Sequence, residues 1–140
     1  MHLPVRVHWL EDGEDEDSST YSRVLYAYSH PRTNEVLYIG KADYCTVQER
    51  QRGAHKEAVF LAIQTTEQID RVILRVGVLY LEASRKFSTA LLSDIESLLI
   101  YRVQPRYNKQ ATKSRISRPG LAVNCTGDWQ YRDSHFVDRQ

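Results

Sequence analysis

Two tyrosines, Tyr26 and Tyr38, lie in short β-rich stretches, RVLYAYS and EVLYIG, that sit close together in the chain. If the stretches pair, the two phenols share a site. A phenol has a free pKa of about 10, so it accepts a proton near neutral pH only where cations stabilise the phenolate. Lys41 and Arg50 are cations able to supply that field. Glu96 is an acid on an apolar-patterned helix, between Ile95 and Leu98, and a carboxylate near a core face needs a compensating partner. His55 titrates near neutrality and suits proton transfer. Each group also has a plainer reading. With nine tyrosines in the chain, Tyr26 and Tyr38 read equally as strand aromatics. Arg50 reads as a surface arginine paired with Glu49 or Glu57, Lys41 as a loop lysine, Glu96 as a helix acid paired with an arginine, and His55 as structural.

Other chemistries find less support. Serines, histidines and aspartates are scattered with no nucleophile-elbow motif, and no glycine-rich loop cradles a nucleotide. Cys45 and Cys125 are far apart and form no CxxC, which argues against a zinc site or a disulfide framework and fits a reducing cytoplasm. His135 lies in a segment without diagnostic metal spacing. Trp129 and Tyr131 read as stacking rings for bases or, more simply, as packing.

The elements that must position these groups follow from periodicity. Residues 3–10 alternate as a short strand, and 11–22 read as a loop. Residues 23–29 and 35–40, joined across His30-Pro31-Arg32-Thr33-Asn34, predict an antiparallel hairpin. Thr46 predicts a helix N-cap, with Glu49 completing a capping box, and a helix running to about Arg52. Residues 55–64 predict a second helix. Residues 70–82 are the clearest strand, with Val72, Leu74, Val76, Val78 and Tyr80 on one face. Residues 88–101 are the clearest helix, with Leu91, Leu92, Ile95, Leu98 and Leu99 at helical spacing and Pro105 as its stop. Residues 109–140 have weak periodicity. The expected fold is α+β: a small antiparallel three-stranded sheet flanked by helices.

At 140 residues, 41% hydrophobic and 26% charged, the chain has one core to bury and is not a disordered polyelectrolyte. No apolar run is long enough to span a bilayer and the acidic N-terminus lacks a signal core, so a cytoplasmic protein with no membrane partner is expected. A net charge of +1 hides an asymmetry: residues 1–17 sum to −5 and the remainder to +6. Residues 102–118 hold six bases and no acid, which suits a polyanion as well as a solvated tail.

Three ordered stretches resemble the GIY-YIG nuclease family. Val24-Leu25-Tyr26 is followed after eleven residues by Tyr38-Ile39-Gly40, like the paired motifs that name the family. Thr46-Val47-Gln48-Glu49-Arg50 is similar to the helix that carries the family's arginine. Glu96 precedes Asn108 by twelve residues, the family's offset. The QPRYN ending looks like the N-terminal nuclease domain of the bacterial excision-repair incision subunit. The likeness spans roughly residues 24–109. It divides the chain into an N-terminal segment with an acidic loop (1–22), a nuclease-like core (23–109) and an extension that packs on the core or is partly flexible (110–140). Val24 stands where the first motif has glycine, and two residues are inserted around Asp43-Tyr44-Cys45. Arg50 and Arg52 therefore compete for one role. Arg50 keeps the family's spacing from Val47.

The resemblance implies a metal-dependent endonuclease acting on DNA, with RNA left open. It implies Tyr26 as general base, Tyr38 as a hydroxyl that positions phosphate or water, and Arg50 or Arg52 on the scissile phosphate. Glu96 would hold Mg²⁺, or another divalent cation such as Mn²⁺. Lys41 and His55 assist, Gly40 and Asn108 support the site, and Arg102, Arg106 and Lys109 contact the nucleic-acid backbone. With no zinc finger or helix-turn-helix in the sequence, specificity falls to DNA shape, a homo-oligomer or a partner protein. Two other readings stay open: a non-catalytic nucleic-acid-binding adaptor, and a nuclease active only within a repair or mobile-element complex.

Overall fold

The computed structural model describes residues 3–11, 20–109 and 118–138. Most of the acidic run (Asp12, Glu14, Asp15, Glu16, Asp17) and two of the basic-segment residues (Lys113, Arg115) lie outside them. The elements in chain order are β1 (Leu3–Glu11), β2 (Val24–Ser29), β3 (Val36–Ala42), α1 (Val47–Arg50), α2 (Ala54–Glu67), β4 (Ile73–Leu81), α3 (Thr89–Val103), β5 (Leu121–Gly127) and β6 (His135–Val137). Among the described residues no helix is long and apolar enough to cross a membrane.

The six strands form one mixed sheet in the order β3-β2-β4-β1-β5-β6, curved into a half-barrel. This corrects the expected three-stranded antiparallel sheet. β1 inserts between β4, to which it is antiparallel, and β5, to which it is parallel. The sequence hid this because a strand's neighbours are set by contacts far along the chain. β5 also carries Asn124 and Gly127, which are weak strand signals, and β6 has only three residues. Their inward residues complete a core nonetheless: Leu121, Val123, Cys125 and Phe136 join Val5, Val7 and Trp9.

The sheet buries both faces over β3-β2-β4. On one face Leu25, Ala27 and Ile39 pack with Leu92, Ile95 and Leu99 of α3. On the other, Val24, Tyr26, Tyr28 and Val76 meet Val47 of α1 and Ile63 of α2. The helix signals are chemical. Thr46 and Glu49 form the reciprocal capping box at α1. Ser88 Oγ accepts from Leu91 N at 3.0 Å to start α3, and Gln104 in the left-handed region ends it just before Pro105. Strand β3 is a sheet edge, so its outer side opens onto the space between α2 and α3.

Candidate active site

A cavity of about 760 Å³ opens along this edge. Tyr26, Tyr38, Gly40, Lys41, Arg50, His55, Glu96, Arg106, Asn108 and Lys109, all singled out from the sequence, border it. Arg52 and Arg102 do not. Arg52 is exposed just past α1, and Arg102 donates to the Val137 carbonyl at 2.8 Å, tying α3 to β6. Between the competing arginines, only Arg50 reaches the cavity. It shares a helix face with buried Val47, three residues earlier.

The strand register places the phenols. Tyr26 pairs with Gly40 across β2 and β3, and its ring fills the space above the glycine. A Cβ at Gly40 would lie 2.5 Å from both Cζ and Oη of Tyr26. Tyr28, passed over in the sequence, pairs with Tyr38 and stacks on it, with centroids 5.5 Å apart and planes inclined by 27°. Its hydroxyl donates to Gln51 Oε1. Burial pushes the pKa of all three phenols up, and their mutual proximity pushes Tyr26 and Tyr28 further. For Tyr38 the charge of Glu96 adds to burial, while Arg50 and Tyr26 oppose it. The resting cleft therefore holds protonated phenols at neutral pH. Tyr26 Oη is enclosed and makes no hydrogen bond of ordinary geometry among the described residues, although Arg50 and Tyr38 stand near enough to bias its proton.

Glu96 projects from the shoulder of α3, next to the buried Ile95 stripe. Burial raises its pKa, against the pull of Lys41, Lys56 and Arg50. Lys41 lies across it, with Nζ 4.0 Å from Oε1 and donating to Ser93 Oγ, one helical turn earlier, at 2.6 Å. Asn108 acts as a backbone surrogate for the edge strand. Its Oδ1 accepts from Ile39 N and its Nδ2 donates to Ile39 O, both at 2.8 Å. Arg106 borders the cavity but is committed elsewhere. It forks onto Glu35 at 2.7 and 3.0 Å and onto Glu67 at 2.8 and 3.0 Å.

Lys56 is the residue the sequence reading missed. It is 5% exposed, and Nζ donates to Tyr38 Oη at 2.8 Å. Its signal was present: Lys56 lies seven residues before Ile63, on the inward face of α2. His55, one residue off that face, is exposed, with Nδ1 3.0 Å from Lys56 Nζ. The Lys56 charge is the chief cause that lowers the His55 pKa.

Lys41, Arg50, Lys56 and Lys109 thus face a cavity with one acid among the described residues, Glu96, on its wall. That excess suits an anion. No group of three or more His, Cys, Asp and Glu side chains able to hold a metal ion occurs among the described residues. Glu96 is the carboxylate that would hold a cation such as Mg²⁺ there, with water and oxygens of a bound phosphate completing its shell. No protein-family model matches the chain, and no curated protein or solved structure matches it.

Proposed function

We propose that this chain is a metal-dependent endonuclease of the GIY-YIG type that hydrolyses phosphodiester bonds in DNA by in-line attack of water. The observation that carries the reading is the meeting of Tyr26, Tyr38, Lys41, Arg50 and Glu96, drawn from both strands of one hairpin and from two helices, on one cationic cavity. Arg50 offers the planar fork of donors that suits a phosphate. Lys41 and Lys109 add charge along the backbone path. Tyr38 presents a hydroxyl to phosphate or water. Tyr26 is the candidate base, and it releases its proton only against a stronger positive field than the resting cleft supplies. A divalent cation held by Glu96 would strengthen that field and stabilise charge on the phosphoryl oxygens.

Nicking of supercoiled plasmid with Mg²⁺ or Mn²⁺ tests the proposal. The wild type converts plasmid to open circles, and Glu96→Ala and Arg50→Ala each lose roughly a hundred-fold or more in rate. Equal rates in all three proteins, or a folded wild type inert with both metals, would refute it. The enclosed, protonated Tyr26 favours one second reading, a nucleic-acid-binding module that does not cut. That module binds DNA with a steep salt dependence and cleaves under no divalent metal.

A further inference from the structure

Lys56 occupies a position that nothing local favours. It is the third residue of α2, where the helix dipole already presents positive charge. It is buried, which disfavours an ammonium. Arg50 stands near enough to repel it. A lysine held against three unfavourable terms is a functional-site signal when a specific partner accounts for it. Here that partner is Tyr38. The ammonium lies 2.8 Å from Tyr38 Oη and 4.9 Å from the centroid of the same ring.

The proton count fixes the direction of the bond. An ammonium has three donors and no lone pair. Facing Lys56, therefore, Tyr38 Oη accepts, and so does His55 Nδ1 at 3.0 Å, which leaves the imidazole proton on Nε2. With its oxygen engaged as an acceptor, Tyr38 is left with its own O–H to donate elsewhere, and the cavity it borders is where an acceptor would arrive.

We infer that Lys56 is a positioning residue of the cleft: by donating to the Tyr38 oxygen it turns the Tyr38 hydroxyl proton toward a bound phosphate oxygen. The inference rests on the cleft being a phosphate site. It does not rest on the cleft cutting DNA. A neutral amine reverses the arrangement. It carries a lone pair, accepts a hydrogen bond from the phenol O–H and turns a Tyr38 lone pair toward the phosphate. Burial, together with Arg50, lowers the Lys56 pKa to about 8, while Glu96 holds it up. The charged and titratable groups around it are Tyr38 on β3, Arg50 on α1, His55 on α2 and Glu96 on α3. Phosphate affinity should therefore fall as pH rises through about 8.

The test is equilibrium binding of a short fluorescent DNA duplex in EDTA, at constant salt, on both sides of about pH 8. Wild-type affinity drops roughly three- to ten-fold across that range, the worth of one hydrogen bond. Lys56→Arg stays protonated and binds with no such drop. Lys56→Met binds weakly at every pH. Tyr38→Phe loses most of the pH dependence, because no hydroxyl is left to turn. Thermal unfolding of each variant establishes that it is folded, and Tyr38→Phe serves alone if Lys56 cannot be replaced. Four results overturn the inference: a wild-type affinity that does not drop above about pH 8, a Lys56→Arg curve that follows the wild type, a Tyr38→Phe protein that keeps the full drop, or no binding at any pH. Because no metal is present, a protein that binds as described but never nicks plasmid defeats only the hydrolase proposal. One that nicks but shows no drop above pH 8 defeats only the role of Lys56.

Discussion

Replacing Gly40 with alanine tests the packing that underlies the site without depending on its chemistry. The backbone there is ordinary strand, so the added methyl meets no conformational penalty. It meets the Tyr26 ring instead, at 2.5 Å from Cζ and Oη and 2.8 Å from Cε1. Relief to normal contact needs a shift of about 1 Å in a side chain that is fully enclosed. The ring has little room to move, with Tyr28 and Tyr38 centred 5.8 and 6.3 Å away. Overpacking of this kind costs about 1–3 kcal/mol, and the smaller unfolded-state entropy of alanine returns about 0.4–1 kcal/mol. The expected net loss of about 1–2 kcal/mol lowers Tm by roughly 3–8 °C for a chain of this size. Thermal unfolding by circular dichroism measures it, with the near-ultraviolet tyrosine bands reporting the displaced ring. A double-mutant cycle then isolates the cause. Tyr26→Ala should cost less in the Gly40→Ala background than in the wild type, because it removes the atoms the methyl strikes. A Gly40→Ala protein of wild-type Tm, or costs that simply add, would refute the placement of Tyr26 over the glycine.

Three further outcomes follow from the site. Glu96→Gln should leave the fold as stable as the wild type or more so at neutral pH while abolishing nicking. Burial raises the Glu96 pKa, so its ionised form disfavours folding, and any gain from Gln should fade as pH falls toward the 4.5 of a free glutamate and be absent below it; urea midpoints at neutral pH and below 4.5 measure this. Asn108→Ala removes both hydrogen bonds to Ile39 at the sheet edge and should cost about 1–3 kcal/mol, with faster hydrogen exchange at the Ile39 amide. An unchanged urea midpoint contradicts the backbone clamp. Glu67 accepts from Arg106 and Tyr107, which lowers its pKa to about 2, so its contribution is full above 4.5 and disappears as pH falls toward 2. Glu67→Gln should flatten the acid limb of the stability curve, and identical acid limbs would count against the pair.

What the sequence revealed tracks how local each signal is. The 88–101 helix was legible because its apolar stripe and its cap are all within a few residues of one another. The hairpin was legible because two β-rich runs flank one short turn. The shared helix face of Val47 and Arg50 was legible as well, since the two stand one helical turn apart. The position of β1 was not. Val5, Val7 and Trp9 announce a strand, but nothing in them says that β4 lies on one side and β5 on the other. Lys56 was obscured for a different reason. Lysine on a helix ordinarily faces water, so residue type argued against the inward face that its spacing from Ile63 indicated. His55, the residue type expected to act in the cleft, took the outward neighbouring position.

The three strands outside the expected sheet have a direct bearing on Glu96. A helix shoulder points where the helix's buried stripe allows, and the stripe of α3 packs into a core shared with Val5, Val7 and Trp9 of β1, Leu121 and Val123 of β5 and Phe136 of β6. Arg102 fastens the same helix to Val137. With the stripe anchored on that half, Ser93 and Glu96, one turn apart on the adjoining face, turn toward the β3 edge and bracket Lys41 between them. The cleft they face gathers cations that repel one another around a carboxylate that resists ionisation, an arrangement that destabilises the fold at that spot. A three-stranded sheet would have to bear that load with a smaller core and a second free edge on β4. β1 closes that edge with a seven-residue register, buries Trp9 fully, and lets the far half of the molecule supply the stability that the cationic cleft removes.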